Sequence, residues 1–405
     1  MNKELANTAV PLRAPSTRAD PGRAAGPLSV RLLRSEAEFA SLAPDWNRLH
    51  AVSDAASVFN SWVWQFNWWK LYGARQPLRI LVAREGDEAV GILALYVQTQ
   101  RVLGAPVQIL RLVGTEGDTH PDDLGPVLAP GCDAQAALAL ARAALRLPMG
   151  DVLLFSDIHP QSPFPQAVER AAGEEGLDGA MGASERIAFA ALPATWGEFL
   201  AALSPHRRRS IRNSRRKLLA AHPDARFFVW QDLAGIGAAV ERLAALHRRR
   251  WQGAGGSNSF ATREYVEFHR AIIRSFLTRG WLRLYCLEVG GAIVAMLYCY
   301  RMRSRVFLMQ AGFEPRLARF RPGAVLLGYA IEHAIGEGNE VFDFLRGEHR
   351  YKDELATGRR DTAFVQIFRR RPAAFLYRAC NVQLPALKTR LQEFARGFAA
   401  PSRGN

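Results

Sequence analysis

The chain has 405 residues, 49% of them apolar, and a formal net charge of +15. The apolar share excludes a disordered chain, and at roughly 100–200 residues per domain the length predicts two domains. No apolar run approaches the ~20 residues of a membrane helix and no signal-peptide core follows the start, so a cytoplasmic protein is expected. Cys132, Cys286, Cys299 and Cys380 show no CxxC spacing, which fits reduced thiols. Arginine supplies nearly all the positive excess, a compositional bias in large part, and nucleic acid is not expected as a partner.

Residues 1–27 mix Pro, Ala, Arg, Gly and Thr without periodicity and read as a disordered tail. Ser35 with Glu38 makes a capping box for a helix running to about His50. Ser61 opens an aromatic helix through Trp62, Trp64, Trp68 and Trp69 that ends near Gly73. Leu78–Arg84 and Ala89–Val97 form a hairpin, followed by a strand over Val107–Val113. The polar stretch Thr115–Pro126 is irregular; a helix at 133–147, a strand at Asp151–Ser156, a helix at Pro165–Glu175 and a strand at Arg186–Leu192 close a first α/β unit, 28–192. The second unit, 193–371, begins at Thr195–Leu203 and a basic helix opened by Ser204 and Pro205. It continues with a strand (Ala225–Trp230), a helix (232–251), a glycine-rich loop (Gly253–Ser257) and a helix capped by Thr262. Strands Trp281–Val289, Ala292–Tyr300 and Arg305–Ala311, a helix at 323–336, and strands at 340–344 and Thr362–Phe368 complete it. Residues 372–405 are expected to be a terminal helix, to about 395, and a tail. Both units share one outline: two helices, a strand hairpin, a helix and a strand. The fold class is therefore α/β with mixed sheets in two tandem, related domains.

Several segments could carry chemistry. Pro322 and Gly323 start a helix whose apolar face recurs through Val325, Leu326, Tyr329, Ala330 and Ala334. Its free N–H groups attract phosphate oxygens, Gly323 and Ala324 allow close approach, and Arg319 and Arg321 add charge. The helix from Ser204 carries seven Lys/Arg between Arg207 and Lys217. Arg208, Arg212, Arg215 and Arg216 share a face there, either solvated or forming the wall of an anionic-acceptor pocket. The loop Gly117–Gly125 holds a histidine and three carboxylates, and Asp123, Asp122 or His120 could serve as a general base. Asp343 and Glu348 compete for that role, with an ion pair to Arg346 as the default for Asp343. Beyond the strand end, Tyr351 could donate a proton to a departing thiolate, and Lys352 could grip a phosphate. The tryptophan helix reads mainly as core, and Gly253–Ser257 as either a lid or a linker. None of the nine histidines forms an HExxH or similar cluster, so no metal is expected.

These segments in this order resemble the GNAT acyltransferase superfamily, in its Fem-like two-domain branch with CelD/BcsL-type proteins of cellulose and exopolysaccharide biosynthesis. The marks are Ser61 to Trp64 with Trp68 and Trp69, the basic run Arg207–Lys217, the Pro322-Gly323 helix start, and Phe342 to Gly347 with Tyr351 and Lys352. The resemblance covers roughly residues 30–370. It implies acetyl-CoA or another acyl-CoA as donor, bound through Arg319, Arg321, Gly323 and Ala324. It implies an anionic sugar or lipid-linked acceptor held by Arg208, Arg212, Arg215, Asp343 and Lys352, with transient membrane-surface contact. Asp123, Tyr351 and Glu348 would be the catalytic groups, since related chains often carry an acidic residue at the place of Asp123. Phe320 and Val325 depart from the superfamily's phosphate loop, and Fem-type relatives use aminoacyl-tRNA as donor. A non-catalytic module binding an anionic lipid or glycan precursor is the third expectation.

Overall fold

The computed structural model describes residues 28–251, 259–347 and 350–384, with the side chains of Arg350, Tyr351 and Asp353 outside that description. The tail at 1–27, the loop Gly253–Ser257, Glu348 and the end of the terminal helix therefore lie outside the described residues. The first half runs β1 (Leu28–Leu33), α1 (Glu36–Ser41), α2 (Ala43–Val52), α3 (Trp62–Trp68), β2 (Leu78–Glu85), β3 (Glu88–Val102), β4 (Ala105–Leu112), β5 (Val127–Leu128), α4 (Asp133–Arg146), β6 (Val152–Ile158), α5 (Phe164–Glu174) and β7 (Asp178–Ala191). The second runs α6 (Trp196–Ala202), α7 (Pro205–Ala221), β8 (Arg226–Val229), α8 (Ile236–Trp251), α9 (Arg263–Thr278), β9 (Leu282–Val289), β10 (Ala292–Met302) and β11 (Arg305–Phe313). A 3-10 turn at Pro315–Phe320 leads to α10 (Pro322–Gly336), β12 (Val341–Asp343), α11 (Arg350–Leu355), β13 (Gly358–Phe368) and α12 (Pro372–Arg378).

Local chemistry sets these starts. The Ser35–Glu38 capping box forms, with Ser35 Oγ accepting from the Glu38 N–H. Ser204 caps α7 ahead of Pro205, and Thr262 caps α9. Where the sequence predicts a strand only from Arg186, β7 begins at Asp178. Residues 178–182 are exposed and lack apolar alternation; pairing with β13 holds them extended. Backbone pairing of that kind leaves no hydrophobic signature.

The two halves have the same strand connectivity but do not form separate sheets. One continuous sheet runs β1-β2-β3-β4-β6-β13-β7-β12-β11-β10-β9-β8. In each half a four-stranded antiparallel run meets a parallel neighbour, β4 with β6 and β11 with β12. Each half then takes a strand from the other. β13 lies between β6 and β7, and β7 lies between β13 and β12. The sheet therefore passes across the expected boundary at 192/193 three times, at β6–β13, β13–β7 and β7–β12.

Packing joins the halves as well. Trp64 of α3 is fully buried and meets Phe59 (4.9 Å), Phe268 of α9 (4.8 Å) and Tyr300 of β10 (5.9 Å), all edge to face. A second core on the opposite sheet face gathers α6, α7 and α10 over β9–β11, through Phe199, Leu218, Leu297 and Leu326.

Candidate active site

The sheet opens where β11 leaves β12. The two strands pair only over Arg305–Phe307 and Val341–Asp343, while β11 continues to Phe313. A bulge leaves Met309 unpaired between Leu308 and Gln310, which face Cys299 and Tyr298 of β10. The Ala311 carbonyl accepts a hydrogen bond from Arg250 Nη1 at 3.2 Å. It therefore points away from β10, and in an antiparallel strand the N–H of the same residue points the same way, into the opening. A cavity of about 220 Å³ lies beside this far part of β11, between it and the start of α10, lined by Leu297, Leu308, Ala311, Phe313, Ala324 and Leu327 together with Arg250 and Arg321. Two glycines shape it. A Cβ on Gly312 would sit 2.5 Å from the backbone nitrogen of His247, so glycine lets α8 lie against β11; one on Gly323 would come within 3.2 Å of Phe313.

Arg321 caps α10 in the left-handed region (φ 54°, ψ 50°), which turns the chain sharply from the 3-10 segment into the helix. Its guanidinium also lines a second recess of about 290 Å³, formed with Arg319 and Phe320 and with His206, Arg209, Ser210, Asn213, Ser214 and Lys217 of α7. The lining face of α7 differs from the expected one. Arg208, Arg212 and Arg215 line neither cavity, and Arg215 Nη1 donates to Glu332 of α10 at 2.6 Å. The helical spacing of arginines shows which share a face; only the position of the 3-10 turn shows which face meets a partner.

A buried layer of ion pairs lies at the junction of the halves. Asp123 has no exposed surface, and Arg360 Nη1 and Nη2 donate to its two oxygens at 2.6 and 2.7 Å. Arg360 Nε also donates to Asp343 at 3.0 Å. Asp122 accepts from the Arg346 backbone N–H at 3.0 Å and from Nε at 2.8 Å, and Arg346 reaches Asp157 at 2.6 Å. Burial would raise the Asp123 carboxyl, but the Arg360 guanidinium with its two hydrogen bonds, helped by Arg305, outweighs it and holds the group below the usual carboxylate range. For Asp122, burial opposed by Arg346 and reinforced by the Asp123 charge leaves the carboxyl pushed up to about 7.

This layer corrects three expectations on physical grounds. A carboxylate with both oxygens on an arginine and no exposed surface is a clamp between the halves, so the base role expected of Asp123 does not fit its surroundings. Asp343 is equally buried, pairing with Arg360 and Arg305 and accepting the Leu345 N–H at 2.9 Å, and it is no acceptor contact. Lys352 is buried with Nζ donating to the carbonyls of Leu345 (2.9 Å) and Arg346 (2.5 Å), so it fastens the chain after β12 and does not reach for a phosphate. Tyr351 stands in α11, and Glu348 lies outside the described residues.

On the α9 face of the opening stand polar groups that spacing did not single out. Asp118, in the first-half loop, accepts from Tyr72 Oη at 2.6 Å and from the Thr262 hydroxyl that caps α9. Beside it Thr119 is buried, with no hydrogen-bond partner for its hydroxyl among the described residues. Gln310 follows the bulge and donates to Tyr265 Oη at 3.1 Å and Ser259 Oγ at 3.0 Å. Burial first, then the Asp118 carboxylate, holds the Tyr72 phenol well above its ordinary range, so it stays a donor. The available signal was a carboxylate in a loop already rich in them; its partner Thr262 is 144 residues away. Among the described residues, no group of three or more His, Cys, Asp or Glu side chains is placed to hold a metal ion.

Residues 205–353 match the family model described as an acetyltransferase (GNAT) domain, so the second half carries an acyltransferase domain of the GNAT type. No curated protein compared with the chain matches it. The crystal structure of FemX is similar in fold, with a TM-score of 0.57, 11% identity, and coverage of 86% of this chain and 99% of that one. A conserved protein of unknown function from Bacteroides thetaiotaomicron is similar too, with a TM-score of 0.53, 11% identity, and coverage of 84% and 100%. At such identities the likeness is one of fold, and it takes in residues of both halves, over 84–86% of this chain. Among the described residues, no helix is long and apolar enough to cross a membrane.

Proposed function

We propose that the chain transfers an acyl group from an acyl-CoA, acetyl-CoA in the first instance, to an amine or hydroxyl acceptor. One observation carries this reading: the apolar cavity between β11 and the start of α10 and the basic recess beside it share Arg321, which suits a ligand with an apolar arm and a phosphorylated end. The thioester would lie along β11 with its carbonyl oxygen toward the Ala311 N–H, whose dipole steadies the negative charge that develops on attack. The acceptor would come from the α9 side. Asp118 takes the acceptor's proton as its nitrogen or oxygen bonds to the carbonyl carbon; the C–S bond then breaks, and the leaving thiolate receives a proton. Tyr351, just beyond β12 in the chain, remains the proposed donor of that proton, and Glu348 an alternative base. The acceptor's class, an anionic cell-envelope or exopolysaccharide precursor, rests on the sequence resemblance alone.

Calorimetric titration with acetyl-CoA tests the donor: saturable binding is expected, and no binding at millimolar ligand would sink the reading. Asp118→Asn should lower kcat by on the order of 10²–10⁴ with donor affinity kept. Unchanged turnover would remove Asp118 from the mechanism.

A further inference from the structure

We infer that the donor's phosphates are held by side chains of α7 and the 3-10 turn, and not by the first-turn amides of α10; this rests on the acyl-CoA reading above. The amides at the start of α10 are largely spent. Pro322 has none, and the N–H groups of Ala324 and Val325 both bond to the Arg321 carbonyl at 3.0 Å. Gly323 is left as the one first-turn amide without an acceptor among the described residues, too little to cradle a pyrophosphate.

The charge that amides do not supply stands across the recess. Arg209 and Lys217 of α7 project into it two turns apart, and Arg319 faces them from the 3-10 turn. None of these three has a carboxylate partner among the described residues, whereas Arg215 is tied to Glu332 and Arg321 reaches Glu354 at 3.4 Å. Three like charges around one cavity repel each other, and a phosphate bound there relieves that repulsion while making charge-assisted hydrogen bonds. Arg321 is already aimed by Ser210, whose Oγ accepts from Nη1 at 2.6 Å, so the wall shared with the apolar cavity is preorganised. The arrangement defines a phosphate subsite that shares Arg321 with the acyl cavity.

The experiment is calorimetric titration of the full chain and of an Arg209→Ala/Lys217→Ala variant with CoA, dephospho-CoA and pantetheine. Both substituted side chains are exposed, and circular dichroism with thermal melting checks that the variant is folded. The expected result is a loss of CoA affinity of on the order of 10–100-fold, a smaller salt dependence, and unchanged pantetheine affinity. A variant as weak toward dephospho-CoA as toward CoA assigns the subsite to the pyrophosphate, and one weakened toward CoA alone assigns it to the 3′-phosphate. A folded variant that binds CoA like the parent overturns this inference and leaves the acyl-CoA reading standing. A parent chain that binds no CoA overturns both.

Discussion

At the scale of single residues, Arg360 is the group on which the centre of the molecule depends. It pairs with both Asp123 and Asp343, and both carboxylates are without exposed surface. Removing one member of a buried pair leaves an uncompensated charge, a loss of about 3–5 kcal/mol. Arg360→Ala should lower unfolding free energy by that much in denaturant titration, and Arg360→Lys should recover only part of it, since an ammonium cannot match the bidentate geometry. An alanine variant within 1 kcal/mol of the parent would show that the pair contributes little. None of this was legible from sequence: the paired residues lie 237 positions apart, and an aspartate in a polar loop looks the same whether it faces water or an arginine. Histidines make a second residue-scale case. Burial holds His50 and His159 down at about 4 and His269 at about 3. The unfolded chain takes up protons at these sites as pH falls below ~6.5, whereas the folded chain does not until near the depressed values. Stability is therefore full above the unfolded value and lost as pH falls toward 4. His269→Gln should flatten the dependence of unfolding free energy on pH between 6.5 and 4 by up to ~1.4 kcal/mol per pH unit. Parallel curves for parent and variant would refute the assignment.

Elements were more legible than contacts. Capping chemistry is local, so Ser35, Ser204 and Thr262 marked helix starts that the structure has. The Pro322 start of α10 and the hairpins β2–β3 and β9–β10 were visible for the same reason. What could not be read was which face of α7 meets the 3-10 turn, and that β11 needs Gly312 to admit α8. That glycine gives an element-scale prediction. A methyl at 312 would collide with the backbone of Leu246 and His247, which cannot rotate away. Gly312→Ala should therefore cost about 1–3 kcal/mol of stability through displacement of α8. Because Arg250 at the end of α8 binds the Ala311 carbonyl, the same change should also weaken acetyl-CoA binding. Gly323→Trp, by contrast, would fill the cavity from the half-buried first turn of α10, and should abolish binding while shifting the melting temperature by only a few degrees. A Gly312→Ala variant as stable as the parent, or a Gly323→Trp variant that still binds, would contradict this account of the cavity.

Across the whole molecule, the exchange of β7 and β13 decides how the halves can exist. The internal likeness of the halves was visible as a repeated order of helices and strands, and it predicts two domains. It does not predict the exchange, because a strand's sequence encodes an apolar face and says nothing of which edge it joins. Split at 192, the first half would keep β6 and β7 with a missing strand between them, and the second would keep β13 with no neighbour at all. Each piece would also expose part of the aromatic core around Trp64, whose ring partners come from both halves. Open strand edges beside uncovered apolar surface favour aggregation over folding. Residues 28–192 expressed alone should therefore be insoluble, or lack a cooperative thermal transition, and so should residues 193–405. Expressed together, the two pieces should form a soluble one-to-one complex, because every hydrogen-bonded ladder can then be completed without the peptide link at 192. A first half that melts cooperatively by itself would show that β13 is an accessory to that sheet and not part of its fold.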